Sequence, residues 1–183
     1  MESVVTKPRA VSDGDTVVAT VDVPMSPRRV FTALTTDEVE RWWGSPKVYL
    51  IRNWKADVRV GGRWSLEVRL PDGAVLPATG EFILLRIPEK IVQTRQYKFD
   101  HPTLGRKVTT VTYHLNRIPY GTRITVRHDG FDGLHAAANE HAAGWERFLA
   151  WLEAFAQLER NRVDAKLGLA GLAVRLTKED STP

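Results

Sequence analysis

Residues 132–158 carry an unbroken amphipathic pattern that dictates what the rest of the chain must supply. Leu134, Ala138, His141, Trp145, Phe148, Leu152 and Phe155 recur at alternating spacings of three and four, which sets them on one stripe of an α-helix. Ala137, Leu149 and Ala156 widen the stripe, while Glu140, Glu146, Arg147, Glu153 and Gln157 fall on the opposite side. Asp132, followed by Gly133, is suited to cap the start. At 1.5 Å per residue the helix would run roughly 40 Å, longer than most helices of a globular domain. Its stripe needs an apolar partner surface of similar extent.

Almost everything before it reads as strand. Residues 16–23 alternate, with Val17, Ala19, Val21 and Val23 on one face, and Pro24 ends the run. Ser26 and Pro27 form an N-cap and first-turn pair, so a short helix should carry Val30, Phe31 and Leu34 inward. Thr35 and Glu38 have capping-box spacing and should open a second short helix ending near Trp43. Six further strands are expected over residues 48–60, 63–70, 74–85, 91–99, 107–116 and 122–128, separated by turns at Gly61-Gly62, Pro71-Asp72-Gly73, Pro88-Glu89, residues 100–105 and Pro119-Tyr120-Gly121. Strands joined by such short turns make an antiparallel meander.

The resulting order, β-αα-β6-α, is an α+β arrangement. Its economical packing is a seven-stranded curved antiparallel sheet around the long helix, a helix grip, with the two short helices closing one end. Where helix and sheet diverge, a cavity opens at the mouth. This domain is expected over residues 15–158, after a polar, flexible leader at 1–14. In the extension at 159–183, Leu167, Leu169, Leu172, Val174 and Leu176 are apolar while Gly168 and Gly171 weaken a helix. The extension reads either as a short helix packed on the body or on a second copy in a homodimer, or as a loose tail.

Composition narrows the function classes. The net charge of +4 comes from Lys and Arg scattered along strands and turns, which argues against nucleic-acid binding. The absence of cysteine excludes disulfides, thiolate metal sites and thiol catalysis. The first fourteen residues hold no apolar core of signal-peptide length and no apolar run approaches membrane-spanning length, so a cytoplasmic protein with no membrane association is expected. There is no Gly-x-Ser-x-Gly elbow, no phosphate-binding glycine loop and no His-Glu-x-x-His pair. His135 and His141, six apart, face different sides of the helix and make poor metal partners. Glu67 and Glu81 offer an acid/base pair only if neighbouring strands bring them together, and Glu67 has outward parity. No catalytic residue, metal or cofactor is assigned.

A series of local motifs resembles one family. The run Val23-Pro24-Met25-Ser26-Pro27-Arg28-Arg29-Val30-Phe31-Thr32-Ala33-Leu34-Thr35 is followed by Arg41-Trp42-Trp43-Gly44 and by Asp57-Val58-Arg59-Val60-Gly61-Gly62-Arg63-Trp64. Asp72-Gly73, Gly80-Glu81-Phe82, residues 121–126 and Gly144-Trp145 complete it. In this order they resemble the family of homologues of the activator of heat-shock-protein-90 ATPase, within the START-like (SRPBCC, helix-grip) superfamily. The resemblance implies the same fold, with a cavity between sheet and long helix that holds small apolar ligands. Superfamily members include ligand carriers and polyketide cyclases or aromatases. The eponymous co-chaperones resemble this chain only in their C-terminal domain, which argues against a chaperone partner.

Strand parity and the helix stripe together nominate a ligand site. Residues 91, 93, 95, 97 and 99 share a face, as do Thr109, Val111, Tyr113 and Leu115, and Ile124, Val126 and His128. The polar members of these inward sets are expected either to satisfy one another or to line a pocket. The expected ligand contacts are Trp43, Trp64, Tyr97, Tyr113, Phe131, His141 and Trp145, with Arg95 and His128 orienting a polar end. The corresponding bland reading of each tryptophan is core packing. For Arg59 the two readings are an anion clamp and a surface pair with Asp57. The principal expectation is a non-enzymatic protein binding a small hydrophobic or aromatic ligand. A cyclase, aromatase or hydrolase using Arg95, Tyr113 and His128 is one alternative, and a protein-interaction module is the other.

Overall fold

The computed structural model describes residues 7–179, with side chains through residue 168. Nine antiparallel strands form a single sheet in the order β1-β2-β9-β8-β7-β6-β5-β4-β3. They are β1 (Arg9–Asp13), β2 (Thr16–Val23), β3 (Gly44–Ser45), β4 (Tyr49–Ala56), β5 (Arg63–Arg69), β6 (Val75–Arg86), β7 (Lys90–Tyr97), β8 (Thr109–Ile118) and β9 (Gly121–Asp129). Helices α1 (Pro27–Thr35) and α2 (Val39–Trp42) follow β2, and α3 (His135–Glu179) closes the chain. From β4 to β9 each strand pairs with the next, and β2 returns beside β9. The expected helix grip is present, with two strands more than expected.

The extra strands have simple causes. β1 pairs with β2 through a two-residue Gly14-Asp15 loop, so part of the polar leader becomes an edge strand. The rest of that leader, residues 1–6, lies outside the described residues. β3 is a two-residue rung on β4. β4 itself ends at Ala56, short of the expected residue 60. Asn53 adopts φ 55° where the register with β5 shifts, and Gly62 N–H then closes a turn onto Arg59 O at 2.9 Å. Val58 and Val60 are consequently exposed, and Arg59 pairs with Asp57 at 2.7 Å on the surface.

The first short helix follows its sequence signals. Ser26 caps α1, its hydroxyl accepting from Arg29 N–H, and Val30, Phe31 and Leu34 are buried. The capping box at Thr35 and Glu38 does not form. Thr35 hydroxyl donates to Phe31 O within α1, and Glu38 pairs with Arg29, leaving α2 a single turn.

Helix α3 departs most from expectation. It starts at His135, while Asp132 pairs instead with Lys107 at 3.0 Å, and it continues without a break to Glu179. The 45 residues would span about 67 Å. Each interior glycine costs about 1 kcal/mol against alanine, yet a helix already fixed by packing needs no new nucleation to extend. Arg29 also holds Glu159 at 2.6 Å, fastening the start of the extension to α1. Residues 180–183 and the side chains of Leu169, Leu172, Val174 and Leu176 lie outside the description.

The core lies between the sheet and the first half of α3. Ala138, Trp145, Phe148, Leu149, Leu152 and Ala156 face Val17, Val21, Val111, Leu115, Ile124 and Val126, all buried. The inward parity of β7, β8 and β9 is as expected, with Arg95, Thr109 and His128 among the buried polar groups. The buried carboxylate of Asp22 on β2 is held bidentately by its cross-strand neighbour Arg123 on β9 at 2.7 and 2.8 Å.

Candidate functional site

Between α3 and the sheet a cavity of about 340 Å³ remains open. Its floor comes from Tyr49 on β4, Val68 on β5, Leu76 on β6, Arg95 and Tyr97 on β7 and His128 on β9. Trp43, just after α2, forms one wall, and the segment after β7 brings Phe99, His101 and Pro102 to the rim. The roof is α3, through Glu140, His141, Gly144, Trp145, Arg147 and Phe148. Spacings of three and four put His141, Gly144, Trp145 and Phe148 on the stripe that faces the sheet, while the exposed Glu140 and Arg147 flank it at the cavity's edge.

Two histidines are locked by hydrogen bonds that define their tautomers. Trp145 Nε1 can only donate, so His128 Nδ1 accepts at 3.0 Å. His128 Nε2 then carries the proton and donates to Thr109 Oγ1 at 2.8 Å, and that hydroxyl donates onward to Arg95 O at 3.2 Å. His141 runs the other way: Nδ1 donates to Ala137 O at 2.8 Å, leaving Nε2 to accept from the Tyr97 hydroxyl at 3.1 Å. Burial pushes the His128 imidazole well below its ordinary range and brings His141 down to about 4. Both are neutral at pH 7 and both have every ring nitrogen occupied.

Arg95 is the exception to this closure. It is 9% exposed, yet its Nε has no hydrogen-bond partner. Among the described residues, none of the ion pairs includes it. Its guanidinium carbon lies 5.6 Å from the Trp43 ring centre and 5.4 Å from that of Tyr97, so aromatic faces, together with hydrogen bonding to the Tyr97 phenol, supply part of its compensation. After burial itself, the groups acting on it are the phenols of Tyr97, Tyr113 and Tyr49.

At the rim, Thr103 Oγ1 donates to Glu140 at 2.6 Å, and His101 sits 3.7 Å from the same carboxylate. His101 also stacks on Tyr97 at 4.6 Å between ring centres. These contacts hold the loop after β7 against α3.

Six of the nine residues nominated from sequence meet here: Trp43, Arg95, Tyr97, His128, His141 and Trp145. Three do not. Trp64 and Tyr113 border a separate gap of about 10 Å³, where Trp64 stacks on Trp54 at 5.9 Å. Phe131 is fully buried behind the histidines, 4.7 Å from His128 and 5.0 Å from His141. Glu67 lies opposite Pro77 and Glu81 opposite Arg63, so the two carboxylates do not form a pair. Sequence reasoning missed Tyr49, His101 and Gly144. Gly144 had a readable signal, a glycine on the apolar stripe in mid-helix, where it costs about 1 kcal/mol against alanine. A Cβ there would meet nothing within 4 Å.

A long helix gripped by an antiparallel sheet, with a cavity between them, defines a START-like protein. Residues 24–157 match the family model described as "Activator of Hsp90 ATPase homolog 1-like protein", and the chain belongs to that family. Solved structures agree on the fold. A protein from Rhodobacter sphaeroides superposes with a TM-score of 0.71 at 17% identity, covering 82% of this chain and 97% of that one. A protein from Nitrosomonas europaea gives 0.67 at 20%, covering 82% and 99%. The AHSA1-like protein from Aeromonas hydrophila gives 0.63 at 20%, covering 79% and 93%. Such identities speak to fold alone. No curated protein matches the chain significantly. None of the described helices is long and apolar enough to cross a membrane.

Proposed function

We propose that this protein binds a small, mostly apolar molecule with a planar ring system in the cavity beneath α3. The observation that carries the reading is the open space itself. Aromatic and aliphatic side chains surround about 340 Å³, within the size range of small-molecule sites, and the helix residue over it is Gly144. A core selected only for stability would fill that volume, since close packing is the rule inside proteins.

The enzymatic alternative through Arg95, Tyr113 and His128 has less support. Tyr113 borders the other gap, and both ring nitrogens of His128 are already engaged. An interaction module would have no use for an open cavity of this size.

Gly144→Leu tests the binding reading. The leucine should extend into free space and raise the melting temperature by improving helix propensity. Ring compounds that shift the melting temperature of the wild-type protein should fail to shift that of the variant. Binding that survives undiminished in Gly144→Leu would place the ligand elsewhere and refute the reading.

A further inference from the structure

We infer that the ligand of this cavity is an organic carboxylate, its apolar body under α3 and its carboxylate received by Arg95 and Tyr49. The inference rests on the binding function proposed above and specifies the ligand's polar end.

The cavity wall leaves some of its hydrogen-bonding capacity unspent. His128 and His141 are saturated, as shown by their paired contacts with Trp145, Thr109, Ala137 and Tyr97. The Trp145 indole is committed to His128, and the Trp43 indole donates to Tyr49 Oη at 3.2 Å. Because Tyr49 Oη accepts in that bond, the phenol's own proton remains to be given. Arg95 keeps a buried Nε–H with no acceptor. On Arg95 and Tyr49 the capacity left is that of donors without acceptors. A ligand that completes this wall must present acceptor oxygens.

Charge narrows the choice further. The charged residues lining the cavity are Arg95, Arg147 and Glu140, two cations against one carboxylate. Glu140 is already engaged by Thr103 and lies beside His101 at the rim. A buried guanidinium without a counter-ion is expensive, and a carboxylate brought in with the ligand would form the charge-assisted pair that the protein lacks. The planar guanidinium also lies near the Trp43 and Tyr97 rings, so a ligand ring packed against the same aromatics would lie within reach of its donors. A neutral alcohol or ketone would accept a hydrogen bond but leave the charge uncompensated. A phosphate monoester, strongly hydrated and carrying more charge than Arg95 can balance, fits this apolar wall poorly.

The test uses naphthalene-2-carboxylate and its neutral counterpart naphthalene-2-carboxamide, titrated by calorimetry into the full chain at pH 7.5. The wild-type protein should bind the carboxylate at least tenfold more tightly than the amide. Arg95→Met should bring the two affinities within about twofold of each other, mainly by weakening the carboxylate. Arg95→Lys, which keeps the charge and so guards against a folding failure of the methionine variant, should retain a reduced preference. Tyr49→Phe should lower carboxylate affinity several-fold and leave the amide nearly unchanged. Equal binding of acid and amide by the wild-type protein would overturn the carboxylate assignment while leaving the cavity reading intact. A preference that persists undiminished in both Arg95 variants would overturn it as well. If neither compound binds, the cavity reading and this inference fall together.

Discussion

Beneath α3, Trp54 and Trp64 stack beside a gap of about 10 Å³, while Trp145 and one face of Trp43 look onto about 340 Å³ of open space. Both regions lie along β5, the first at Trp64 and the second at Val68, and both are walled by aromatic rings. Two glycines show how differently they are built. A Cβ on Gly80 would come 1.9 Å from Thr94 O and 2.5 Å from Trp64 Nε1, whereas one on Gly144 would meet nothing within 4 Å. The first glycine is required because space is full. The second stands where space is empty. Ring content therefore does not distinguish a binding wall from a core; charge does. The open region is lined by Arg95, a buried guanidinium outside the described ion pairs that would be costly to enclose in a dry, collapsed core, whereas no charged residue lines the filled gap.

This contrast can be broken most forcefully at Trp64. Trp64→Ala should destabilise the protein by about 3 to 5 kcal/mol, seen in denaturant unfolding, without changing the affinity of a cavity ligand per folded molecule. A small stability loss with a large loss of affinity would reverse the roles assigned to the two regions.

Acid should act on the open region. Burial holds His141 at about 4, below the 6.5 of a free histidine, and lowers His128 and His101 in the same direction. Between those pH values the unfolded chain binds protons that the folded chain refuses. Stability should therefore be full above about pH 6.5 and fall as the pH drops toward 4, with His141 alone contributing on the order of 3 kcal/mol. Arg95 and His101 reinforce the neutral form and Glu140 opposes it, so the wild-type protein should lose more stability over this range than His141→Gln. Equal slopes would contradict the burial of His141.

Arg95 offers the sharpest reversal. Replacing an unpaired buried cation with methionine of similar reach should raise stability by about 1 to 3 kcal/mol in thermal unfolding. At Trp64 a substitution should cost stability and spare binding; at Arg95 it should add stability and impair binding. That opposition is the stability–function trade-off expected when a residue is kept for a ligand.

Strand parity made much of this site legible. Alternation assigned Arg95, Thr109 and His128 to the buried face of β7, β8 and β9, and helical spacing aligned His141 with Trp145 above them. Parity reports which face a side chain occupies, however, and not how far along the interface the cavity extends. For that reason Trp64 and Tyr113, correctly inward, lie outside it. Phe131 is inward too, but His128 and His141 stand in front of it. His101 was beyond reach because its place depends on a loop held to α3 by the long-range contact of Thr103 with Glu140. The unbroken extension of α3 was obscured by Gly168 and Gly171, whose local cost is outweighed by continuity with a packed helix.

The six tryptophans provide the most direct test of the division between filled and open regions. In an ¹H–¹⁵N spectrum their indole N–H groups can be followed separately while naphthalene-2-carboxylate is added. The signals of Trp43 and Trp145, whose indoles bond Tyr49 and His128 at the cavity wall, should shift first and furthest. Those of Trp54 and Trp64 should hardly move. Leading shifts at Trp54 and Trp64, or no shift at Trp43 and Trp145 when binding is saturated, would contradict the claim that the cavity beneath α3 is the ligand site.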